Sequence, residues 1–587
     1  MTANLADPAV TPEELTRPAD GPPEPRRARW RRPLTPKMFI VAGVAAAIGY
    51  LALVPLGYLI WGTFFDAQGL DLGSFERAYG SGRMGELWGN SLAFAGGAAL
   101  LSITVGTTLA YLNVRTAVPF KALFFAASIV PLVVPGILYT VSWIFLASPQ
   151  IGLLNAFLEP IVGSAPFNIF SIWGMIWVEG LHSSPIVFLL MVAAFRSMDP
   201  SLEESALMSG ASRMQTLRKV TLPLVRPALL SSILVILITS LESFEVPALL
   251  GLQNGIYVFT SRIYFVLRSY PQDLGAAGAL AVSLLGVAVI GVAVTRLLAG
   301  KGSKTYQTVT GKGFRPRPLD LGKWKPVVGA GILFYFFVTV VGPLLVLLYA
   351  ALLPYYQAPS AAAFASFTFD NFAQVFEMNS AVRALKNSLI LGLSSATIVM
   401  ALMAIAAWIS VRSTIPGRGV VEQLSFVPLV IPGIVLGLSI SFVYLRFPLP
   451  IYGTIFILLI AYCTKYMPYG MRYATTSMTQ ISSELEESAM VSGASWWTTF
   501  RRVLLPLLSP GITAGFIYIL VVSFRELSSS ILLYSPGNEV LSILIWEQFE
   551  NGSFNVLAAI VVLMVLALMF MVTIAYKLGA KVGLRED

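Results

Sequence analysis

The sequence predicts an all-α polytopic membrane protein of about twelve transmembrane helices, arranged as two parallel six-helix repeats. Of its 587 residues, 56% are hydrophobic and only 12% are charged. A soluble chain of this length would need roughly twice that charged fraction to cover its surface. The mean hydropathy of +0.76 likewise indicates a membrane protein. The arrangement in two halves follows from segments that recur at fixed spacing.

Twelve apolar stretches approach the length of about 20 residues that a helix needs to cross a bilayer. They lie near residues 38–64, 88–113, 119–146, 167–194, 224–250, 276–299, 326–353, 385–410, 419–445, 450–475, 508–533 and 555–577. The fourth contains Glu179 and His182, and the tenth contains Lys465 and Arg472, so these two are the least apolar.

The first stretch follows a run of basic residues, as a signal peptide does, but it exceeds the 7–15 apolar residues typical of one. We therefore expect it to be retained as the first span. Residues 1–36 before it are rich in Pro, Ala and charged residues, which predicts a disordered tail.

The distribution of positive charge predicts the orientation, because short cytoplasmic loops are enriched in Lys and Arg. The linker 301–325 carries seven such residues against one Asp, whereas the loop 534–554 has three Glu and no Lys or Arg. Both termini and the linker are therefore expected in the cytoplasm. The net charge of +9 is explained by this topology and by anionic lipid, so no nucleic-acid partner is expected.

The chain repeats itself in its second half. Residues 131–137 recur at 428–434, an offset of 297, and residues 202–206 recur at 485–489, an offset of 283. The first half, 37–300, thus holds about 14 residues that the second half, 326–587, lacks, and the expected place is the outer loop 147–166. Because six spans is an even number, both copies enter the membrane in the same direction, which places a pathway between them.

Two polar loops recur with their spacing intact. Each pattern predicts a short amphipathic helix, a turn at a glycine, a second short helix and a proline at the start of the next span. The residues that carry this pattern are Glu204, Ser205, Ala206, Gly210, Leu222 and Pro223 in the first loop, and Glu487, Ser488, Ala489, Gly493, Leu505 and Pro506 in the second.

This spacing resembles the "EAA" loop of type I ABC importer permeases, with Ser205 and Ser488 in place of the middle alanine. The resemblance covers the whole chain after the tail. It implies the type I permease fold, a bacterial inner-membrane location, and coupling helices that dock on two ATP-binding-cassette ATPase subunits. It also implies an extracytoplasmic substrate-binding protein as a partner. The alternative interpretation is a pair of ordinary interfacial amphipathic helices.

The sequence contains no phosphate-binding G-x-x-x-x-G-K-[ST] loop. We therefore expect the chain to be no enzyme and to bind no cofactor, with ATP used by the partner ATPase. A single cysteine, Cys463, and a single histidine, His182, argue against a metal cluster. A secondary transporter is the rival class, because repeats and intramembrane carboxylates occur there too, but it would not need two matched docking loops.

Charges inside the spans are costly and are therefore candidates for function. Glu242, Glu245, Arg525 and Glu526 fall near the ends of the fifth and eleventh stretches, which line the translocation path in the family that the loops resemble. At the offset of 283, Glu242 aligns with Arg525, which suggests an ion pair between the halves. A purely structural role, or exposure to outer water, is the alternative.

The substrate is suggested by a narrower resemblance. Residues 245–250, 255–260 and 525–530 resemble the fused double permeases of ferric-iron importers. The resemblance implies ferric iron as the substrate. Importers of thiamine, aminophosphonates and polyamines are close relatives, and their substrates remain open alternatives at this point.

Overall fold

The structure is a computed structural model, and it describes residues 36–66, 69–80, 82–199, 201–302, 318–447 and 449–581. All but the last residue of the predicted disordered tail 1–36 lies outside the described residues. So does most of the predicted basic linker 301–325.

The described residues are mostly helical, and a two-stranded antiparallel hairpin, β1 (Phe65–Asp66) and β2 (Gly69–Leu70), follows the first helix. The helices of the first half are α1 Pro36–Phe64, α2 Gly73–Tyr79, α3 Met84–Arg115, α4 Lys121–Val133, α5 Gly136–Ala147, α6 Leu153–Val162, α7 Ile172–Ser197, α8 Ser201–Met208, α9 Arg213–Thr216, α10 Leu222–Glu242, α11 Phe259–Arg268 and α12 Leu274–Gly302.

The second half repeats this order with its own additions. Its helices are α13 Lys325–Phe336, α14 Gly342–Leu352, α15 Ala361–Ala365, α16 Asp370–Glu377, α17 Asn379–Val411, α18 Arg418–Phe426, α19 Gly433–Tyr444, α20 Ile455–Gln480, α21 Ser483–Val491, α22 Trp496–Thr499, α23 Leu505–Phe524, α24 Ser530–Leu533, α25 Leu541–Glu550 and α26 Phe554–Lys581.

Within the described ranges, nine helices are long and apolar enough to cross a membrane, and eleven spans result if two sharply bent helix pairs count as one span each. The all-α polytopic fold class is therefore confirmed. The remaining predicted stretch, 450–475, corresponds to α20, a helix of 26 residues whose polar content keeps it out of this count.

The two bent pairs correct the simple interpretation of stretches 119–146 and 419–445 as continuous spans. The chain turns by 98° between α4 and α5, and by 109° between the segment Arg418–Val430 and α19. Each turn falls on the repeated Pro-x-x-x-Pro-Gly segment, 131–136 and 428–433. Proline has no N–H to donate and its ring clashes with the preceding turn. The helical segment continues past the first proline, and the second, Pro135 or Pro432, stands at the break directly before α5 or α19.

The repeat predicted from the sequence reappears in the helix boundaries. α5 and α19 are both 12 residues long and lie 297 residues apart, whereas α7 and α20 are both 26 residues long and lie 283 residues apart. The offset therefore changes between Ala147 and Ile172, and α6 occupies that interval. This interval contains the predicted extra segment 147–166.

The first span of each half packs on the bent pair of the other half. α1 lies along α19, where the hydroxyls of Tyr50 and Tyr444 are 2.7 Å apart. α14 lies along α5, and nearby Tyr356 donates a hydrogen bond of 3.1 Å to the carbonyl of Phe145. A continuous buried apolar cluster accordingly contains residues of both halves, and the two bends lie where the halves meet.

Candidate functional site: paired exposed loops and an intramembrane charge cluster

The paired loops, residues 201–223 and 483–506, share one backbone conformation. Gly210 has φ of +84° and Gly493 has φ of +85°, in the left-handed region that favours glycine. A Cβ at either position would meet no atom within 4 Å, so the backbone angle alone accounts for the glycine. Each glycine N–H closes the preceding helix with a hydrogen bond of 3.0 Å, to Leu207 and Met490 respectively.

The second part of each loop continues into a long membrane helix without a break. Ser212 and Ser495 cap α9 and α22, accepting hydrogen bonds of 3.3 Å from the backbone N–H three residues on. A π-helical turn follows in each half, Leu217–Thr221 and Phe500–Leu504, and leads directly into α10 and α23. A displacement of either loop would therefore be transmitted along the following helix.

One glutamate of each loop faces inward and anchors the loop. Glu203 accepts a hydrogen bond of 2.5 Å from the Thr221 hydroxyl, and its carboxylate lies 3.6 Å from the guanidinium of Arg115 at the end of α3. The equivalent Glu486 is buried and accepts a hydrogen bond of 2.9 Å from the indole N–H of Trp408 in α17. The sequence analysis does not predict these two inward contacts. The pair of adjacent glutamates that recurs in both loops is the sequence feature that could have indicated them.

Most of the residues predicted to couple to an ATPase lie on the exposed face of each loop. Glu204, Ser205, Gly210, Pro223, Glu487, Ser488, Gly493, Leu505 and Pro506 are exposed, whereas Ala206, Leu222 and Ala489 are partly buried. Apolar side chains stand beside the acids: Met208 and Val491 occupy equivalent positions and are both 89% exposed. Large apolar side chains exposed at matching places typically mark an interaction surface.

At the other end of α10 and α23, the charged residues predicted for the path lie around the two bends. Glu526 is buried and accepts hydrogen bonds of 2.7 and 2.6 Å from the ammonium of Lys465 on α20. It also accepts from the hydroxyl of Tyr466, at 3.1 Å, and from the backbone N–H of Ser529, at 3.0 Å. The sequence pattern does not predict the ion pair of Lys465 and Glu526, because the two residues lie 61 positions apart and belong to different predicted spans.

The ion pair suggested between Glu242 and Arg525 is not formed, so that expectation is wrong. Arg525 donates a hydrogen bond of 2.9 Å to the backbone carbonyl of Leu132 in the first bend. Oε1 of Glu242 is buried and has no hydrogen-bond partner among the described residues. The carbonyl of Leu132, at the break in the helix, needs a hydrogen-bond donor. The guanidinium of Arg525 donates to this carbonyl instead of pairing with Glu242.

Each bend is packed by the loop that follows the long helix of its own half. A Cβ on Gly136 would collide with the carboxylate of Glu245, and a Cβ on Gly433 would lie 2.7 Å from the Cβ of Ser528, the repeat equivalent of Glu245. The missing side chain at each glycine thus permits a close approach. In the first half Glu179 accepts hydrogen bonds from Ser243, at 2.8 Å, and Ser183, at 3.2 Å.

The charge cluster is not a preformed chelating site. In the part of the chain that the structure describes, no group of three or more His, Cys, Asp and Glu side chains is placed to hold a metal ion. Its chemistry is that of one ion pair, Lys465 with Glu526, and of separate carboxylates and an arginine beside broken helices.

Two parallel halves, each with an exposed loop continuous with a helix that reaches a central charge cluster, define a membrane permease. The family model "Binding-protein-dependent transport system inner membrane component" matches residues 101–301 and again 400–581. The chain belongs to this family, with one copy of the matched region in each half, and the predicted permease function is confirmed.

Curated relatives are similar over both halves. The ferric transport system permease protein FbpB of Actinobacillus pleuropneumoniae is 26% identical over 535 residues, which cover 89% of this chain and 76% of the relative. The Fe(3+)-transport system permease protein FbpB 2 of Haemophilus influenzae is 26% identical over 477 residues, covering 80% and 86%. Among solved structures, a bacterial ABC transporter that imports alginate aligns with 44% of this chain and 95% of its own, at 19% identity and a TM-score of 0.36.

Proposed function

We propose that this permease imports ferric iron and is driven by two separate ATP-binding-cassette ATPase subunits. The observation that carries the choice of iron is that relatives named for ferric transport align with up to 89% of the chain, and so with both halves. An extracytoplasmic binding protein would deliver the iron. The chain itself would bind no cofactor and catalyse no reaction, since ATP is used by the partner subunits.

The paired loops are the proposed docking surface for the ATPase subunits. Each presents an exposed acid, Glu204 or Glu487, beside an exposed apolar side chain, Met208 or Val491. Two equivalent surfaces on one chain suit two copies of one partner. Because ATP is a cytoplasmic substrate, this proposal places the loops and both termini in the cytoplasm of a bacterium, and the chain in its inner membrane.

The long helices supply the proposed link between docking and transport. α10 has 21 residues and spans about 30 Å between the first loop and Glu242. α23 similarly joins the second loop to Arg525 and Glu526. Closure of the ATPase dimer would thus move the ends of both helices beside the bends, where Glu242, Glu245, Arg525 and Glu526 line the proposed path.

Transport by the reconstituted complex tests the choice of substrate. The chain, its ATPase and its binding protein in liposomes are expected to accumulate radiolabelled ferric iron in an ATP-dependent manner. Thiamine, 2-aminoethylphosphonate and spermidine are the matched controls, each offered with the same complex. ATP-dependent uptake of one of these compounds without uptake of iron would contradict the proposal.

The stoichiometry of the complex tests the docking surfaces. One chain of 63.4 kDa is expected to bind two ATPase subunits, because it carries both docking loops. Native mass spectrometry of the purified complex measures this ratio directly. A complex of two such chains with two ATPase subunits would show that half of the loops do not dock.

A further inference from the structure

An apolar groove of about 290 Å³ lies between α4 and α13. None of its eleven lining residues carries a polar side chain, and they come from the start of α4 and from one face of α13. Phe120, Leu123 and Leu333 of this lining are each more than half exposed, so the groove is open to the outside of the helices. Lipid tails are as apolar as leucine, and an acyl chain therefore suits this groove.

The two helices begin side by side at one end of the groove. The N–H of Leu319, before α13, donates to the carbonyl of Arg115 at 2.8 Å. The N–H of Ala117, before α4, donates to the carbonyl of Leu319 at 2.9 Å. These two bonds hold the entrances of both helices together, so Lys121 and Lys325, their first residues, lie at the same end.

Cations without a counter-charge gather at this end. They are Lys121, Arg196, Lys323 and Lys325. Lys121 and Lys325 are exposed and directly adjoin lining residues, and the charge of Arg196 lies close enough to Lys121 to repel it. None of the four forms an ion pair among the described residues. The nearby carboxylate of Asp320 accepts a hydrogen bond of 3.1 Å from a backbone N–H of its own turn.

Phe120 holds an unfavourable backbone conformation in this groove. Its φ is +53°, in the left-handed region where a bulky side chain is an outlier. At the offset of 297 its equivalent is Gly417, with φ of +82°, and glycine adopts this conformation without a steric cost. The turn itself therefore does not need a phenylalanine. Because the side chain is 74% exposed and lines the groove, its strained retention points to a contact outside the chain.

We propose that this groove binds one anionic phospholipid of the bilayer, with an acyl chain along Phe120, Leu123 and Leu333 and the phosphate beside Lys121 and Lys325. Basic pockets between membrane helices recognise anionic headgroups in this way. A zwitterionic lipid would bring a cation of its own against the four that are already there. The proposal is independent of the transported substrate and of the ATPase partner.

Charge complementarity favours a lipid over two other occupants of the groove. The linker segment 303–317, which lies outside the described residues, contains four Lys and Arg residues and no acid. It would add to the repulsion at this end. A second copy of the chain would bring the same four cations. An anionic headgroup supplies the opposite charge.

Native mass spectrometry of the delipidated chain tests the site. Phosphatidylglycerol is expected to bind about tenfold or more tightly than phosphatidylcholine with the same acyl chains. The double change Lys121→Gln with Lys325→Gln is expected to remove this preference, whereas Lys121→Arg with Lys325→Arg is expected to keep it. Lys386→Gln is the matched control, because Lys386 is an exposed lysine of α17 that adjoins no residue of the groove. Equal affinity for the two lipids, or an unchanged preference in the double glutamine variant, would overturn the proposal.

Phe120→Gly separates a lipid contact from a packing role. This change is expected to weaken binding of phosphatidylglycerol without lowering the melting temperature of the lipid-free chain, because glycine relieves the backbone strain. Unchanged lipid affinity, or a clear fall in the melting temperature, would contradict a lipid-binding role of the ring. A photoreactive phenylalanine analogue at position 120 identifies the occupant in membranes. Cross-links to phosphatidylglycerol are expected, and cross-links to the linker or to a second chain in their place would overturn the proposal.

Discussion

Changing both Glu204 and Glu487 to arginine is expected to abolish binding-protein-stimulated ATP hydrolysis while the chain still folds and inserts. Both side chains are exposed on the outward face of the paired loops, so neither change disturbs a buried contact. The ATPase surface that normally contacts a glutamate of the loop would then contact an arginine. Mismatched charges across an interface typically cost several kcal/mol. The stimulated rate in liposomes should therefore fall by more than about tenfold.

Glu484→Arg is the matched control for this double variant. Glu484 is exposed on the same helix, α21, but the equivalent position in the first loop is Ser201, so no paired acid exists there. Its stimulated rate should stay close to that of the wild-type chain. If the double variant of Glu204 and Glu487 retained normal stimulation and uptake, the docking role of the loops would be wrong.

The inward anchors explain why adjacent glutamates should behave differently. Glu203 bonds Thr221 and lies near Arg115, and Glu486 bonds Trp408, so substitutions there are expected to loosen the loop from its own half. The sequence shows two acids side by side in each copy but not which one turns inward. That choice depends on tertiary partners on α3 and α17, which lie about 80 residues away along the chain.

The repeat and the loops could be predicted because they are local patterns kept at constant spacing. The turns at Gly210 and Gly493 are examples, because their left-handed backbone conformation favours glycine and the glycines are visible in the sequence. The two sharp bends could not be predicted from the sequence, because proline in an apolar stretch is also compatible with a kinked but continuous span. Only the structure shows turns of 98° and 109° there.

The failed ion pair of Glu242 and Arg525 has a geometric cause. Two residues related by a twofold rotation contact each other only if both lie close to the axis. Here each residue lies near the bend of the opposite half. Arg525 contacts Leu132 of the first bend, and Glu242 lines one cavity together with Leu429 of the second bend. Alignment of the repeats pairs Glu242 with Arg525 but gives the wrong contact for each, because it carries no information on distance from the axis.

The ion pair that the structure does contain predicts the largest effect on stability. Glu526→Ala would leave the ammonium of Lys465 in the membrane without its partner, and would also remove the acceptor for Tyr466 and Ser529. Breaking a buried pair from one side costs about 3–5 kcal/mol. Because the side chain of Lys465 is 25% exposed, we expect a loss of about 3 kcal/mol in the free energy of unfolding.

Cys463 provides the measurement for this prediction. It is the one cysteine of the chain, it is buried on α20 two residues from Lys465, and a thiol-reactive fluorophore reaches it when the helix unpacks. The thermal transition followed in this way should fall clearly in Glu526→Ala. In the double variant Lys465→Met with Glu526→Gln it should return most of the way to the wild-type value, because both charges are removed and an acceptor for Tyr466 remains. The opposite outcome is a double variant whose destabilisation equals the sum of the two single changes. That result would show that the two charges are not coupled, and that the ion pair does not hold α20 to the segment after α23.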